Sequence, residues 1–309
     1  MKWDDRVGRR LRLKDLHTLQ TVAEVGSMAK AAERLALSQP AISKAISDME
    51  RTFGTPLLDR TSRGVELTQG GHLLVERARV IFDEVRQGIS DIEQISDPAQ
   101  GVVRIGTTEP VTVVVSGIIN QLARKYPRIR YHVVVTDTDT LERELRERAL
   151  DVLVTRWVPP LVADDLVATV LFKSPLGVMA ERHHPLLQRK KLALADLMGE
   201  QWVLSPADSF LGRIVAHLFH RRKLALPFAV VTTISIYMRL NLLASGRFLS
   251  VMPLTMLRHR SNSAWLRALK VDLSDSSAPI ASITLKNRRG GGAVKLFQDA
   301  CVEVCKSMV

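Results

Sequence analysis

Apolar residues over the first hundred positions recur at helical spacing, and beyond position 100 they begin to alternate. Leu13, Leu16, Leu19 and Val22 form one stripe. Ala29, Ala32 and Leu35 form a second, behind Ser27 at an N-cap position. Ala36 and Leu37 make a tight turn. Ser38 then caps a third helix with Pro40 in its first turn, where a missing N–H costs nothing. Ile42, Ile46 and Met49 repeat at helical spacing and face inward, which leaves Gln39, Ser43, Lys44 and Ser47 outside. Leu57-Leu58 and Val65 to Leu67 read as two strands around a polar, basic turn from Arg60 to Gly64. Next, Leu74, Ala78, Ile81, Val85, Gly88, Ile92 and Ile95 follow one another at spacings of 4, 3, 4, 3, 4 and 3. That is a heptad seam, and a narrow seam needs a partner, either its own preceding helices or a second copy.

Around Ser96-Asp97-Pro98-Ala99-Gln100-Gly101 turn-formers end the long helix and the period changes to 2. Strands are predicted at Val102–Gly106, Tyr131–Val135, Val152–Thr155, Gly177–Ala180, Trp202–Leu204, Ala229–Thr232, Leu249–Met252 and Ile280–Leu285. Helical patterns lie between them, including one opened by Pro110 that runs to Lys125, one over Leu141–Arg148 and a closing one over Ala293–Met308. Such alternation predicts an α/β fold, a parallel or mixed sheet with helices on both faces. Ligands of these sheets sit outside the carboxyl ends of the strands. Those ends carry Thr107-Thr108-Glu109-Pro110, Thr136–Thr140, Thr155-Arg156, Ser205–Ser209 and Thr233-Ile234-Ser235. A single Thr at such a place is an ordinary helix cap, but five ends together gather hydroxyls, a carboxylate and one arginine at one level.

A chain of 309 residues with 46% apolar content fits two or three domains with real cores. The net charge of +12 is unevenly placed, because residues 1–100 hold fifteen basic and fifteen acidic side chains. The outer face of the third helix is therefore no general polycation; its donors and acceptors sit near the helix N-terminus, where base edges are read. The basic excess lies further on and reads mainly as solvated surface. The two cysteines, Cys301 and Cys305, share one helix face, make a disulfide framework unexpected, and fit a reducing cytoplasm. No signal-peptide pattern and no membrane-spanning run is seen.

An enzyme is not expected. There is no G-x-S-x-G elbow, no P-loop and no G-x-G-x-x-G after a strand. Gly290-Gly291-Gly292 reads as a connection, His183-His184-Pro185 as a turn, and His217 and His220 as surface residues rather than metal ligands. No catalytic residue, metal or cofactor is assigned. A transport-type solute-binding protein would explain a cleft but not the N-terminal helices.

The N-terminal residues resemble the LysR-type transcriptional regulators. The resemblance rests on Ala31-Ala32-Glu33-Arg34-Leu35, Ser38-Gln39-Pro40-Ala41-Ile42-Ser43-Lys44, Leu57-Leu58-Asp59-Arg60 and Leu67-Thr68-Gln69-Gly70-Gly71. It is specific over roughly the first 95 residues, and the layout of the rest also fits. It implies a winged helix-turn-helix (residues 1–70), a linker and dimerisation helix (71–96), a hinge (97–101) and an effector-binding domain (102–309). That last domain is implied to be two-lobed, Rossmann-like and of periplasmic-binding-protein type. Lobe I would span about 102–170 and 275–309, lobe II about 171–274. By the same resemblance Gln39, Pro40, Ser43 and Lys44 face the major groove, and Arg60 and Arg63 lie in or beside the wing. The cap serines Ser27 and Ser38 are counted with this DNA-binding set. Lys44 stands where the family more often has Arg, a better bidentate partner for guanine.

The resemblance also implies that Thr107, Thr108, Glu109, Pro110, Thr138, Arg156, Ser205, Thr233 and Ser235 line an effector cleft. Arg63-Gly64-Val65-Glu66 together with Thr108-Glu109-Pro110 is similar to the subgroup containing galactose-binding-protein regulators. Glu109 is an acceptor-only side chain, which suits a sugar and opposes a simple carboxylate unless Arg156 offsets it. The expected partners are double-stranded DNA, a second copy through residues 71–96, a tetramer built from such dimers, a small-molecule effector (sugar or small carboxylate) and RNA polymerase. The expected location is the cytoplasm, at the nucleoid.

Overall fold

The computed structural model describes residues 10–61, 64–96, 100–157, 164–258, 260–288 and 290–306. The chain divides into two compact units, residues 1–89 and 90–309. In the first, helices α1 (Leu13–Val25), α2 (Met28–Leu35) and α3 (Gln39–Phe53) are followed by the antiparallel pair β1 (Leu58–Thr61) and β2 (Gly64–Leu67). The long helix α4 (Gln69–Ser96) begins in this unit. Leu19, Val22, Ala31, Ile42, Ile46, Met49, Leu57 and Val75 are buried together in one core. Fully burying each larger side chain is worth roughly 1.5–3 kcal/mol.

Local chemistry sets the element ends. Ser27 Oγ accepts from the Lys30 N–H at 3.4 Å, and Ser38 Oγ accepts from the Ala41 N–H at 3.3 Å. Ala36 adopts a left-handed conformation between the two helices, with φ 53°. The hairpin docks on the end of α1 through a bond from the Val65 N–H to the Gly26 carbonyl, 3.1 Å. A Cβ on Gly64, whose φ is +138°, would lie 2.3 Å from that same carbonyl, so only glycine fits. Glu50 Oε1 accepts from the Leu57 N–H at 2.9 Å and fixes the start of the hairpin to α3.

Three details differ from the sequence reading. Leu13 is half exposed, since it precedes the point where α1 meets its neighbours. Leu57 lies before the strand rather than in it, and Arg60 and Thr61 belong to β1 and Gly64 to β2, so the turn is shorter than predicted. Along α4, Val75 and Ala78 are buried, but Ile81, Val85, Ile92 and Ile95 are 38%, 42%, 66% and 84% exposed. The seam is thus covered at its start and bare beyond.

The second unit holds two five-stranded sheets. Its elements are β3 (Gly101–Thr107), a 3-10 turn over Glu109–Val111, α5 (Thr112–Lys125), β4 (Ile129–Val135), α6 (Thr138–Arg146), β5 (Val152–Arg156), β6 (Leu166–Ser174), β7 (Leu176–Glu181) and β8 (Gln201–Leu204). They continue with α7 (Phe210–Arg221), β9 (Ala229–Thr232), α8 (Ile236–Ala244), β10 (Phe248–Pro253), α9 (Arg260–Ser263), β11 (Leu266–Ala268), β12 (Ala278–Leu285) and α10 (Gly292–Lys306). The first sheet runs β4-β3-β5-β12-β6 and the second β11-β7-β10-β8-β9. β3 is parallel to β4 and β5, whereas β12 is antiparallel to β5 and β6. Each sheet is covered on both faces: in the first, Val115, Ile118, Phe297 and Cys301 pack on one side and Leu141 and Leu145 on the other.

The mixed sheets and the two lobes agree with the expectation. Strands β6 and β11 were not foreseen, and because β6 stays in the first sheet to Ser174 the first crossing lies at 174–176 rather than near 170. The chain returns between Ser276 and Ala278. Residues 97–99 of the expected hinge, and Met308 at the expected end of the last helix, lie outside the described residues.

Candidate functional site: a helix face and an interlobe cavity

The outer face of α3 carries the residues expected there. Gln39, Pro40, Lys44 and Ser47 are exposed and Ser43 is half-buried, while Ile42, Ile46 and Met49 anchor the opposite face. The hydroxyls of Ser27 and Ser38 accept from the first turns of α2 and α3, so these serines shape the turn between the helices. Arg63 lies outside the described residues, as does the side chain of Arg60, whose backbone pairs with Val65.

The second site is a cavity of about 370 Å³ between the two sheets of the second unit. Four chain turns converge on it, each at the carboxyl end of a strand: the 3-10 turn after β3, and the starts of α6, α7 and α8. Thr108, Glu109, Pro110, Thr138, Arg156, Ser205 and Ser235 all line it. The remaining two expected residues do not. Thr107 is fully buried and its hydroxyl donates to the Val154 carbonyl at 2.7 Å, which knits β3 to β5. The Thr233 hydroxyl accepts from the Ser235 N–H at 3.1 Å and shapes the loop into α8.

The helix starts around the cavity are closed locally. Asp137 accepts from the Thr140 N–H at 2.9 Å, and that bond holds the Asp137 carboxyl below its usual range. Ser209 accepts from the Gly212 N–H at 3.1 Å, and Ser235 from the Met238 N–H at 3.2 Å. Gly212 is required, because a Cβ there would stand 1.8 Å from the Pro206 carbonyl. At α8 a further group takes part. Glu109, from the first lobe, accepts from the Ile236 N–H at 2.8 Å and from the Tyr237 N–H at 3.3 Å.

Two buried arginines complete the wall. Arg156 Nη2 donates to the Ser174 carbonyl at 2.6 Å and Nη1 to the Ser276 carbonyl at 3.2 Å. Burial pulls its guanidinium down to about 10. Arg239, on α8, is 2% exposed; burial pulls it down to about 10 and the Glu109 carboxylate opposes that. Its Nη1 donates to the Val251 carbonyl at 3.4 Å, and its Nε has no hydrogen-bond partner. Much of the rest is apolar, including Val111, Val135, Phe210, Leu211, Ile234 and Ile280. Sequence reading missed Arg239, whose signal was a lone cation in the apolar run IYMRLNLLA, and it missed the apolar wall, which comes from ordinary core-type residues. Among the described residues no cluster of His, Cys, Asp or Glu could hold a metal ion, and no helix is long and apolar enough to cross a membrane.

A helix-turn-helix with one polar helix face exposed and a two-lobed unit with an interlobe cavity make the architecture of a DNA-binding regulator with a ligand-binding domain, and the family matches decide it. The comparisons give the family. A model for the LysR substrate binding domain matches residues 96–306, and one for the bacterial regulatory helix-turn-helix protein of the lysR family matches residues 13–72. The regulator GbpR of Rhizobium radiobacter is 30% identical over 241 residues, covering 75% of this chain and 78% of that protein. TdcA of Escherichia coli (strain K12) is 27% identical over 292 residues, covering 94% and 91%. Among solved structures, a full-length OxyR from Pseudomonas aeruginosa is 19% identical, with a TM-score of 0.68 over 94% of this chain and 97% of that one. Full-length CbnR complexed with its target DNA is 21% identical, with a TM-score of 0.55 over 96% and 100%. The chain belongs to the LysR family of transcriptional regulators; it is a DNA-binding regulator with an effector-binding domain, not an enzyme.

Proposed function

We propose that this regulator reads an inverted-repeat operator as a dimer or tetramer and answers to a small carboxylate bound between its lobes. The observation that carries the effector class is Arg156: a buried cation on the cavity wall that forms no ion pair among the described residues. Its two terminal nitrogens hold neutral carbonyls, which leaves its charge uncompensated, and a ligand anion is the natural complement. The expectation of a sugar relied on Glu109 as an open acceptor. Each of its oxygens already accepts one amide proton, which leaves Glu109 less free to hold a sugar, and the apolar lining suits a carboxylate with a hydrocarbon body. Titration calorimetry of the protein against small carboxylates and sugars tests this: binding of a carboxylate that Arg156→Gln abolishes is expected. Binding of sugars alone would overturn it.

The DNA-binding set is proposed as Gln39, Pro40, Ser43 and Lys44 at the base edges. Ser27 and Ser38 position the two helices, and Arg60 and Arg63 in the hairpin meet phosphate or the minor groove. Pairing of two copies through residues 71–96 is supported by the bare seam of Ile81, Val85, Ile92 and Ile95. Two reading helices on one scaffold then meet two half-sites, and effector binding alters the bend of the DNA and, through it, the engagement of RNA polymerase. The proposed place of action is the cytoplasm, at the nucleoid. A DNase I footprint upstream of the protein's own gene is expected to show two protected inverted half-sites with enhanced cleavage between them. Val85→Lys with Ile92→Lys is expected to yield a monomer by light scattering and to collapse the footprint. A dimer unaffected by these changes would overturn the seam assignment.

A further inference from the structure

The start of α8 is a finished anion site. A helix of nine residues presents unpaired amides and a positive dipole end. Ser235 closes one of those amides, from Met238, and Glu109 closes the other two, from Ile236 and Tyr237. Arg239, on the same helix and on the cavity wall, is buried, and among the described residues its Nε has no hydrogen-bond partner. Two neighbouring amides at a helix N-terminus suit a carboxylate, and the carboxylate present comes from the other lobe, 127 residues away in the chain.

We infer that the first amides of α8 form a carboxylate-binding site that the protein fills with its own Glu109, a tethered ligand that draws the two lobes together before any effector arrives. This rests on the reading of the cavity as the effector site only for its regulatory meaning; the latch itself stands on geometry. Tethering gives Glu109 a high effective concentration at α8, so a free carboxylate does not displace it readily and is directed instead to Arg156. Among the described residues an interlobe ion pair of Arg213 with Asp139 at 3.9 Å is exposed on both sides and holds little. Arg258 of the second lobe also stands over the Phe172 ring of the first, 5.8 Å from its centre, so Glu109 is one of several contacts that hold the lobes together.

Hydrogen exchange of the full-length protein, resolved at Ile236 and Tyr237, tests the latch, with sodium acetate as the probe at constant ionic strength. In the wild type both amides are protected and acetate changes nothing. In Glu109→Ala they are expected to lose protection by about 10- to 100-fold, the loss of a charge-assisted hydrogen bond. Acetate then restores it along a saturating curve, and sodium chloride does not. Glu109→Gln, which still fills the space, is expected to lose less protection and to show no rescue; it also serves if Glu109→Ala does not fold. Equal acetate response in wild type and Glu109→Ala, or unchanged protection in both variants, would overturn the latch. The effector reading fails separately, if Arg156→Gln leaves the calorimetric response intact while the acetate rescue persists.

Discussion

Helices α3 and α8 both begin behind a capping serine, but their first turns meet different surroundings. At α3, Ser38 closes one amide, Pro40 has none to close, and the face around Gln39 and Lys44 stays open to solvent. At α8 three successive amides are closed, and the same helix carries the buried Arg239. The same helix-end chemistry thus serves two ends. An open first turn is available to a partner from outside, here the polyanion of DNA. A closed one has its anion built in, and its partner becomes another part of the same chain.

The contrast can be broken in graded ways. The largest effect is expected at α7, the third helix start on the cavity, where backbone itself closes the approach. Gly212→Ala forces a Cβ against the Pro206 carbonyl, and thermal unfolding should show a loss of about 1–3 kcal/mol or more. On the open helix, Gln39→Ala should weaken binding to the operator by about tenfold or more while changing binding to random DNA little. Titrations at several salt concentrations check this, and equal loss on both DNAs would place Gln39 at phosphate.

On the closed helix, Glu109→Gln and Arg239→Met should each destabilise the protein, and the double variant should lose less than the sum. A coupling of about 0.5–3 kcal/mol is expected from the cycle. Additive losses would mean that carboxylate and guanidinium do not interact. Ser38→Ala should cost about 1 kcal/mol in unfolding experiments, the value of an ordinary cap. Smallest of all, native Cys301 and Cys305 should resist iodoacetamide at neutral pH. Both are buried, burial pushes the Cys301 thiol up, and Cys305 is pushed up to about 11.

How much of this was legible depended on the range of the interaction. The α2–α3 turn is written in residues three and four apart, so caps, inward stripe and outer face all follow from spacing. Strand β6 is harder: it is a sheet edge with Val167 and Val170 exposed, and its register against β12 shifts at Ile280/Ala281, which spoils a clean alternation. β11 has three residues, too few for any period. Strand ends point to the loops that surround the cavity, and seven of the nine expected residues line its wall. Thr107 and Thr233 miss it because a hydroxyl at a strand end serves the backbone equally well. The role of Glu109 was hidden because its partners belong to the other lobe, and no local pattern records a bond across 127 residues.

Arg156 grips the chain at both places where it passes between the lobes, Ser174 just before β7 and Ser276 just before β12. Ser276 adds a bond from the Leu176 N–H to its hydroxyl, 2.8 Å, so the two crossings are also fastened to each other. Two separate connectors would let the lobes twist as well as bend. Clasped by one guanidinium, the two connectors are tied together where they pass between the lobes. A carboxylate bound at that guanidinium, as proposed above, would act on both crossings at once.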